Sequence, residues 1–182
     1  MYGMIHKAVE AMVLENLGPD AWSTILHKSG LNDEHFFSAQ SYDDKDTFAL
    51  IGTVQAHTGM TLEVLLENFG QYWIKFAAEG NFSSLMDMAG DDLESFIQSL
   101  DAMHAAIRST MPDADMPSFE VSRAAEDTLV VIYRSSRAGL DHFVVGLLQG
   151  LMARFNETGE VSVSPQADHS IFTLKLKRQS NR

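Results

Sequence analysis

The chain has 182 residues, 45% of them apolar, with 25 acidic against 13 basic side chains and a formal net charge of -12. That length suits one domain with an ordinary core. The charge speaks against a general nucleic-acid binder or docking on anionic lipid, since both need basic surface. No cysteine is present, which excludes disulfides, thiolate metal sites, a cysteine nucleophile and thioether attachment of a prosthetic group. The opening MYGMIHKAVEAMV carries His6, Lys7 and Glu10 among its apolar residues and does not read as a signal peptide. No apolar run approaches the ~18 residues of a membrane span. A cytoplasmic protein that uses neither membrane nor nucleic acid is therefore expected.

Helical spacing predicts a first helix over 2–15, with Ile5, Val9, Met12 and Val13 inward. Pro19 is suited to the first turn of a second helix carrying Trp22, Ile25 and Leu26. Asp43 and Asp44 are cap candidates for a third, with Phe48, Ile51 and Val54 inward and Gly59 as its stop. Thr61 caps a long helix over 61–80 whose broad apolar face holds Leu62, Leu65, Leu66, Phe69, Trp73 and Phe76. A short helix is expected over 81–88. Asp91 and Asp92 start another, with Leu93, Phe96, Ile97, Leu100, Met103 and Ile107 inward, ending before Pro112. The period then changes. Residues 119–124 and 128–136 read as strands joined by the polar turn 125–127. Residues 140–155 return to a helical pattern, and 160–164 and 170–177 alternate as strands. This order predicts an α+β fold, an N-terminal helical lobe packed on a C-terminal lobe with a four-stranded antiparallel sheet and helices.

His104 falls on the apolar stripe Leu93, Ile97, Leu100, His104, Ile107. An imidazole there has lost water and needs a partner, either a nearby backbone or carboxylate group or a metal. His6, His27, His35, His57, His142 and His169 are scattered and form no metal-binding pair. A lone histidine ligand suits an iron whose other bonds come from a macrocycle. Tyr133, Ser135 and Arg137 are spaced by two, so on an extended segment they share a face. They are read either as a polar solvent face or as donors to paired carboxylates. No G-x-S-x-G, Walker A or G-x-G-x-x-G motif occurs, and Asp43, Asp44 and Asp46 lack the glycine and glutamate of a calcium loop. They read as helix-start charges.

The opening MYG, His104, Pro117 and the full Tyr133-x-Ser135-x-Arg137 motif, in that order, resemble the H-NOX (haem NO/oxygen-binding) family, which includes the haem domain of soluble guanylate cyclase. Segments FGQYW and VVGLLQGLMARF resemble its cyanobacterial-type members. The resemblance implies a single haem-binding domain over 1–182, with 1–60 mainly a distal helical lobe, 61–182 a proximal lobe with the sheet, and haem between them. It implies haem b (iron protoporphyrin IX), with His104 as iron ligand and Tyr133, Ser135 and Arg137 on the propionates. Ile5 and Pro117 would press on the porphyrin, and Trp73, Phe143 and Leu147 would line the gas side. Phe143 stands where oxygen-binding members carry tyrosine, which favours nitric oxide and CO, with the Trp73 indole as a possible donor. No catalysis is implied. Signalling through release of His104 to a histidine kinase or cyclic-di-GMP enzyme is expected. The competing readings are a redox or peroxidase-like haem protein using His142, and an apo interaction module.

Overall fold

The computed structural model describes residues 1–31, 36–80 and 82–177. His35 and Asn81, the first residue of the expected short helix, lie outside the described residues. The elements are α1 (Gly3–Leu17), α2 (Pro19–Ser29), α3 (Asp44–Thr58), α4 (Leu62–Glu79), α5 (Ser83–Met88), α6 (Leu93–Thr110), β1 (Ser118–Ala125), β2 (Thr128–Arg134), α7 (Asp141–Arg154), β3 (Gly159–Pro165) and β4 (Ser170–Leu176). The strands form one antiparallel sheet in the order β1-β2-β4-β3. This is the α+β arrangement that the element order predicts.

The helix boundaries follow local chemistry. Pro19 occupies the first turn of α2, where its missing N–H costs nothing. Asp43 accepts the Lys45 N–H at the start of α3, and Thr61 accepts the Val64 N–H at the start of α4. Gly59 ends α3 with a φ of 71°, a conformation that glycine adopts without strain. At α6, Asp92 and Ser95 exchange side-chain and backbone bonds in a capping box.

Two apolar cores result. On the sheet side, Leu129, Val131, Phe172 and Leu174 pack with Phe96 and Ile97 of α6 and Val144 and Leu148 of α7. On the helical side, Val9, Val13, Ile25, Leu50 and Val54 pack with Leu65, Leu66 and Phe69. Each fully buried side chain of this size contributes about 1.5–3 kcal/mol. Helix α4 serves both cores, because Ile74 and Ala77 of its second half belong to the sheet-side core, and Trp73 packs against both. Its tightest partner is α7. A Cβ on Gly70 would fall 2.2 Å from the Phe143 carbonyl oxygen, and one on Gly146 would fall 2.1 Å from that of Glu67. The two backbones therefore touch, and only glycine permits it.

Three expectations are corrected. Phe48 is 46% exposed, because the inward face of α3 runs through Thr47, Leu50, Ile51 and Val54, one residue out of phase with it. Leu62 is 42% exposed, since the first turn of α4 precedes the residues that reach the core, beginning at Leu65. The strand expected to reach 136 ends at Arg134. Tyr133 is the last residue of β2 paired to β4, and Ser118 opposite Arg134 starts β1. Beyond it the Ser135 hydroxyl accepts the Arg137 N–H, a local turn that competes with the ladder.

Candidate functional site

A cavity of about 210 Å³ is bordered by all nine residues that the family resemblance assigns to the site. Ile5 comes from α1, Trp73 from α4, His104 from α6, Tyr133 from β2, and Phe143 and Leu147 from α7. Pro117 ends the loop between α6 and β1, and Ser135 and Arg137 belong to the turn after β2. The shared strand face that the spacing of Tyr133, Ser135 and Arg137 predicts is not how they meet. Only Tyr133 is on the strand, and the turn brings the other two to the same cavity.

The apolar stripe of α6 explains the position of His104. Leu93, Ile97 and Leu100 are buried, whereas His104 and Ile107 are only partly so. The stripe thus leaves the core after Leu100, and His104 borders the cavity. The imidazole Nδ1 lies 3.1 Å from the Pro117 carbonyl oxygen. A carbonyl can only accept, so Nδ1–H donates, and Nε2 of the neutral ring keeps its lone pair. Burial lowers the pKa of His104, against the Pro117 hydrogen bond and the field of Asp101, which raise it. The ring therefore favours its neutral form. One turn earlier, the Asp101 carboxylate accepts the Phe119 N–H at 3.0 Å, so α6 holds the start of β1 by two bonds. Rings continue from His104 to Phe119 at 6.0 Å, and from Phe119 to Tyr133 at 5.2 Å.

The cationic side of the cavity is built by Arg137. Its Nε donates to Asp44 Oδ2 at 2.7 Å, and Nη1 donates to the Asp115 carbonyl at 2.8 Å and lies 3.5 Å from Asp115 Oδ2. Asp44 also accepts from the Met1 amine at 2.5 Å. Burial opposes the charge of Asp44, but the bonds from the amine and the guanidinium outweigh it and hold the carboxyl below its usual range. Burial pushes the Tyr133 hydroxyl up, opposed by its hydrogen bond with Ser135. The phenol therefore stays protonated and available as a donor.

Sequence reasoning missed Asp44 and Asp115. By sequence alone Asp44 reads as a cap or helix-start charge. Asp43 does the capping, and the second of two adjacent acids is the signal that one was free for another task. Asp115 carried no signal beyond two acids, Asp113 and Asp115, in a short loop, both of which border the cavity. His142 does not border it. Its Nδ1 lies 2.8 Å from Glu67, and its side chain is 40% exposed. Among the described residues, no group of three or more histidines and carboxylates could hold a metal ion. A single imidazole with a free lone pair, apolar walls, and a guanidinium with two hydroxyls fit a macrocyclic iron cofactor bearing carboxylates.

A two-lobed α+β domain with one lone-pair histidine and one arginine on a shared cavity is the class that fold and site define. The chain belongs to the haem-NO-binding family, whose model matches residues 2–163. It is 30% identical over 164 residues to the soluble guanylate cyclase gcy-35 of Caenorhabditis elegans, covering 87% of this chain and 23% of that protein. It is 27% identical over 155 residues to soluble guanylate cyclase 89Da of Drosophila melanogaster, covering 85% and 23%. The chain thus spans about a quarter of the length of these curated relatives. Its fold matches the crystal structure of an H-NOX protein from S. oneidensis in the Fe(II)NO state with a TM-score of 0.87 at 23% identity, covering 98% of this chain and all of that one. No helix among the described residues is long and apolar enough to cross a membrane.

Proposed function

We propose that this chain is a haem-based sensor of nitric oxide, not an enzyme, which holds haem b and takes NO and CO on ferrous iron. The observation that carries the reading is the His104–Pro117 hydrogen bond, which fixes the tautomer so that the ligand nitrogen is Nε2. Tyr133, Ser135 and Arg137 hold the propionates by neutral and charge-assisted bonds. Ile5 and Pro117 press on the porphyrin. Trp73, Phe143 and Leu147 line the gas side, with residues 1–60 mainly on that side and 61–182 carrying the ligand histidine and the sheet. When bound, the haem supplies an open iron position for a diatomic gas. Phe143 offers that position no hydrogen-bond donor, which favours NO and CO over oxygen.

Signalling follows from what His104 holds. His104 would hold the haem iron, and its release on gas binding would free α6 and, through the Pro117 hydrogen bond, loosen the start of β1. The output is read in the cytoplasm by a signalling partner such as a histidine kinase or a cyclic-di-GMP enzyme. A ligand shifts such an arrangement only by its differential affinity for the two states, and ~1–3 kcal/mol gives a several-fold to hundred-fold change. Peroxide turnover is disfavoured, because His142 sits on Glu67 away from the cavity. The test is the visible spectrum of the haem-loaded ferrous protein with and without NO. A chain that takes up no pigment sinks the reading.

A further inference from the structure

The loop from Met111 to Pro117 borders the cavity at six of its seven positions and joins its two chemical ends. At one end the Pro117 carbonyl accepts from His104. Two residues earlier, the Asp115 carbonyl accepts from Arg137 Nη1 at 2.8 Å, and the Asp115 carboxylate accepts from the Ser136 hydroxyl. That carboxylate is half exposed and lies 3.5 Å from Arg137 Nη1. The guanidinium has five N–H donors. Nε is committed to Asp44 and one Nη1 hydrogen to the Asp115 carbonyl. The remaining Nη1–H and Nη2–H pair can take a carboxylate from the cavity in a bidentate manner. The two roles of Asp115 then oppose each other. Its main chain aims the guanidinium, and its side chain puts a negative charge beside the place where an anionic group must dock. Asn at this position would keep the acceptor for Ser136 and remove the charge.

We propose that Asp115 sets how tightly this pocket retains its cofactor, its carbonyl positioning Arg137 and its carboxylate repelling the propionate that Arg137 binds. The proposal rests on the haem reading above. It assigns Asp115 as a positioning residue whose charge makes the cofactor more exchangeable than the cradle alone would make it. A structural role for the Asp115–Ser136 bond makes the opposite forecast, that any change at Asp115 loosens the cofactor.

The experiment measures haem transfer from the loaded full chain to excess apomyoglobin, for wild type and Asp115→Asn. Loss from the variant should be about three- to tenfold slower at low salt, and the gap should narrow in 1 M KCl, because a half-exposed charge is screened. Haem dimethyl ester, whose propionates carry no charge, should leave both proteins at the same rate. Asp115→Ser, neutral and smaller, repeats the comparison should the Asn variant fold poorly. Equal or faster loss from the neutral variants overturns the proposal, and so does slower loss that persists with the diester. Failure of the wild-type chain to take up haem at all overturns the haem reading itself, and this proposal with it.

Discussion

His104 donates its Nδ1 hydrogen to the carbonyl oxygen of Pro117 across 3.1 Å, tying the side chain of one element to the backbone of the next. The bond fixes which nitrogen is basic, and it links any movement of the ring to the first residues of the sheet. Replacing His104 with Gly removes both functions. The variant should lose its pigment, and added imidazole, which can occupy the vacated space, should restore it. Haem content and the absorption spectrum are the measurements. An unchanged spectrum without imidazole rules out His104 as the iron ligand.

Arg137→Ala should weaken cofactor retention by about 1–3 kcal/mol, the cost of leaving a charged acceptor without its donor. The substitution also strips the shared cation from Asp44 and Asp115. Dialysis of the loaded protein, followed by haem quantification, reads the effect. Retention unchanged when Tyr133, Ser135 and Arg137 are all alanine excludes the propionate assignment.

On the proposed function, the residues of the α4–α7 wall set gas selectivity. The ferrous protein should bind NO and CO and form no lasting complex in air. A stable oxygenated spectrum would identify a hidden donor, and Trp73→Phe would then abolish it if the indole N–H is responsible.

The bridge formed by Asp44 has a defined pH sign. Its folded-state pKa lies below the ordinary 3.8, so the unfolded chain binds this proton first on acidification. The stabilisation is therefore fully present above about 3.8 and is lost as pH falls through the folded value. Asp44→Asn should flatten the acid limb of a stability–pH curve measured by thermal melting. An identical acid limb in the variant contradicts the assignment.

Two glycine substitutions separate packing from propensity. Gly146→Ala forces a Cβ to 2.1 Å from the Glu67 carbonyl and should cost at least about 1–3 kcal/mol. In a domain of this size that lowers the Tm by several degrees, at about 2–4 °C per kcal/mol. Gly52→Ala, in α3 with nothing within 4 Å of its new Cβ, should be neutral or raise stability by up to about 1 kcal/mol. Equal melting of both variants contradicts the close crossing of α4 and α7.

Periodicity and capping chemistry made most elements readable, because both act over neighbouring residues. Asp92, Thr61, Pro19 and Gly59 mark their boundaries in the sequence itself. His104 was legible because a polar ring interrupts an apolar stripe, and Arg137 through the Tyr133-x-Ser135-x-Arg137 motif, although a turn replaces the shared strand face that the spacing suggests. What stayed hidden depends on distant partners. Asp44 meets Arg137 across 93 positions, and nothing local distinguishes it from its capping neighbour. Phe48 and Leu62 looked inward because hydrophobicity alone does not tell which turn of a helix overhangs the core. The end of β2 was misplaced because a serine hydroxyl, rather than a glycine or proline, breaks the ladder.

The direct contact of the α4 and α7 backbones also fixes where the molecule can yield. Interlocked main chains cannot slide past one another without steric clash, so Trp73 on one helix and Phe143 and Leu147 on the other behave as parts of a single stiff plate. The opposite wall is hung on side-chain hydrogen bonds and a seven-residue loop. Strain introduced into the cavity is therefore relieved asymmetrically. The plate resists, and the deformation is channelled toward Pro117 and from there into β1, an edge strand whose one neighbour in the sheet is β2.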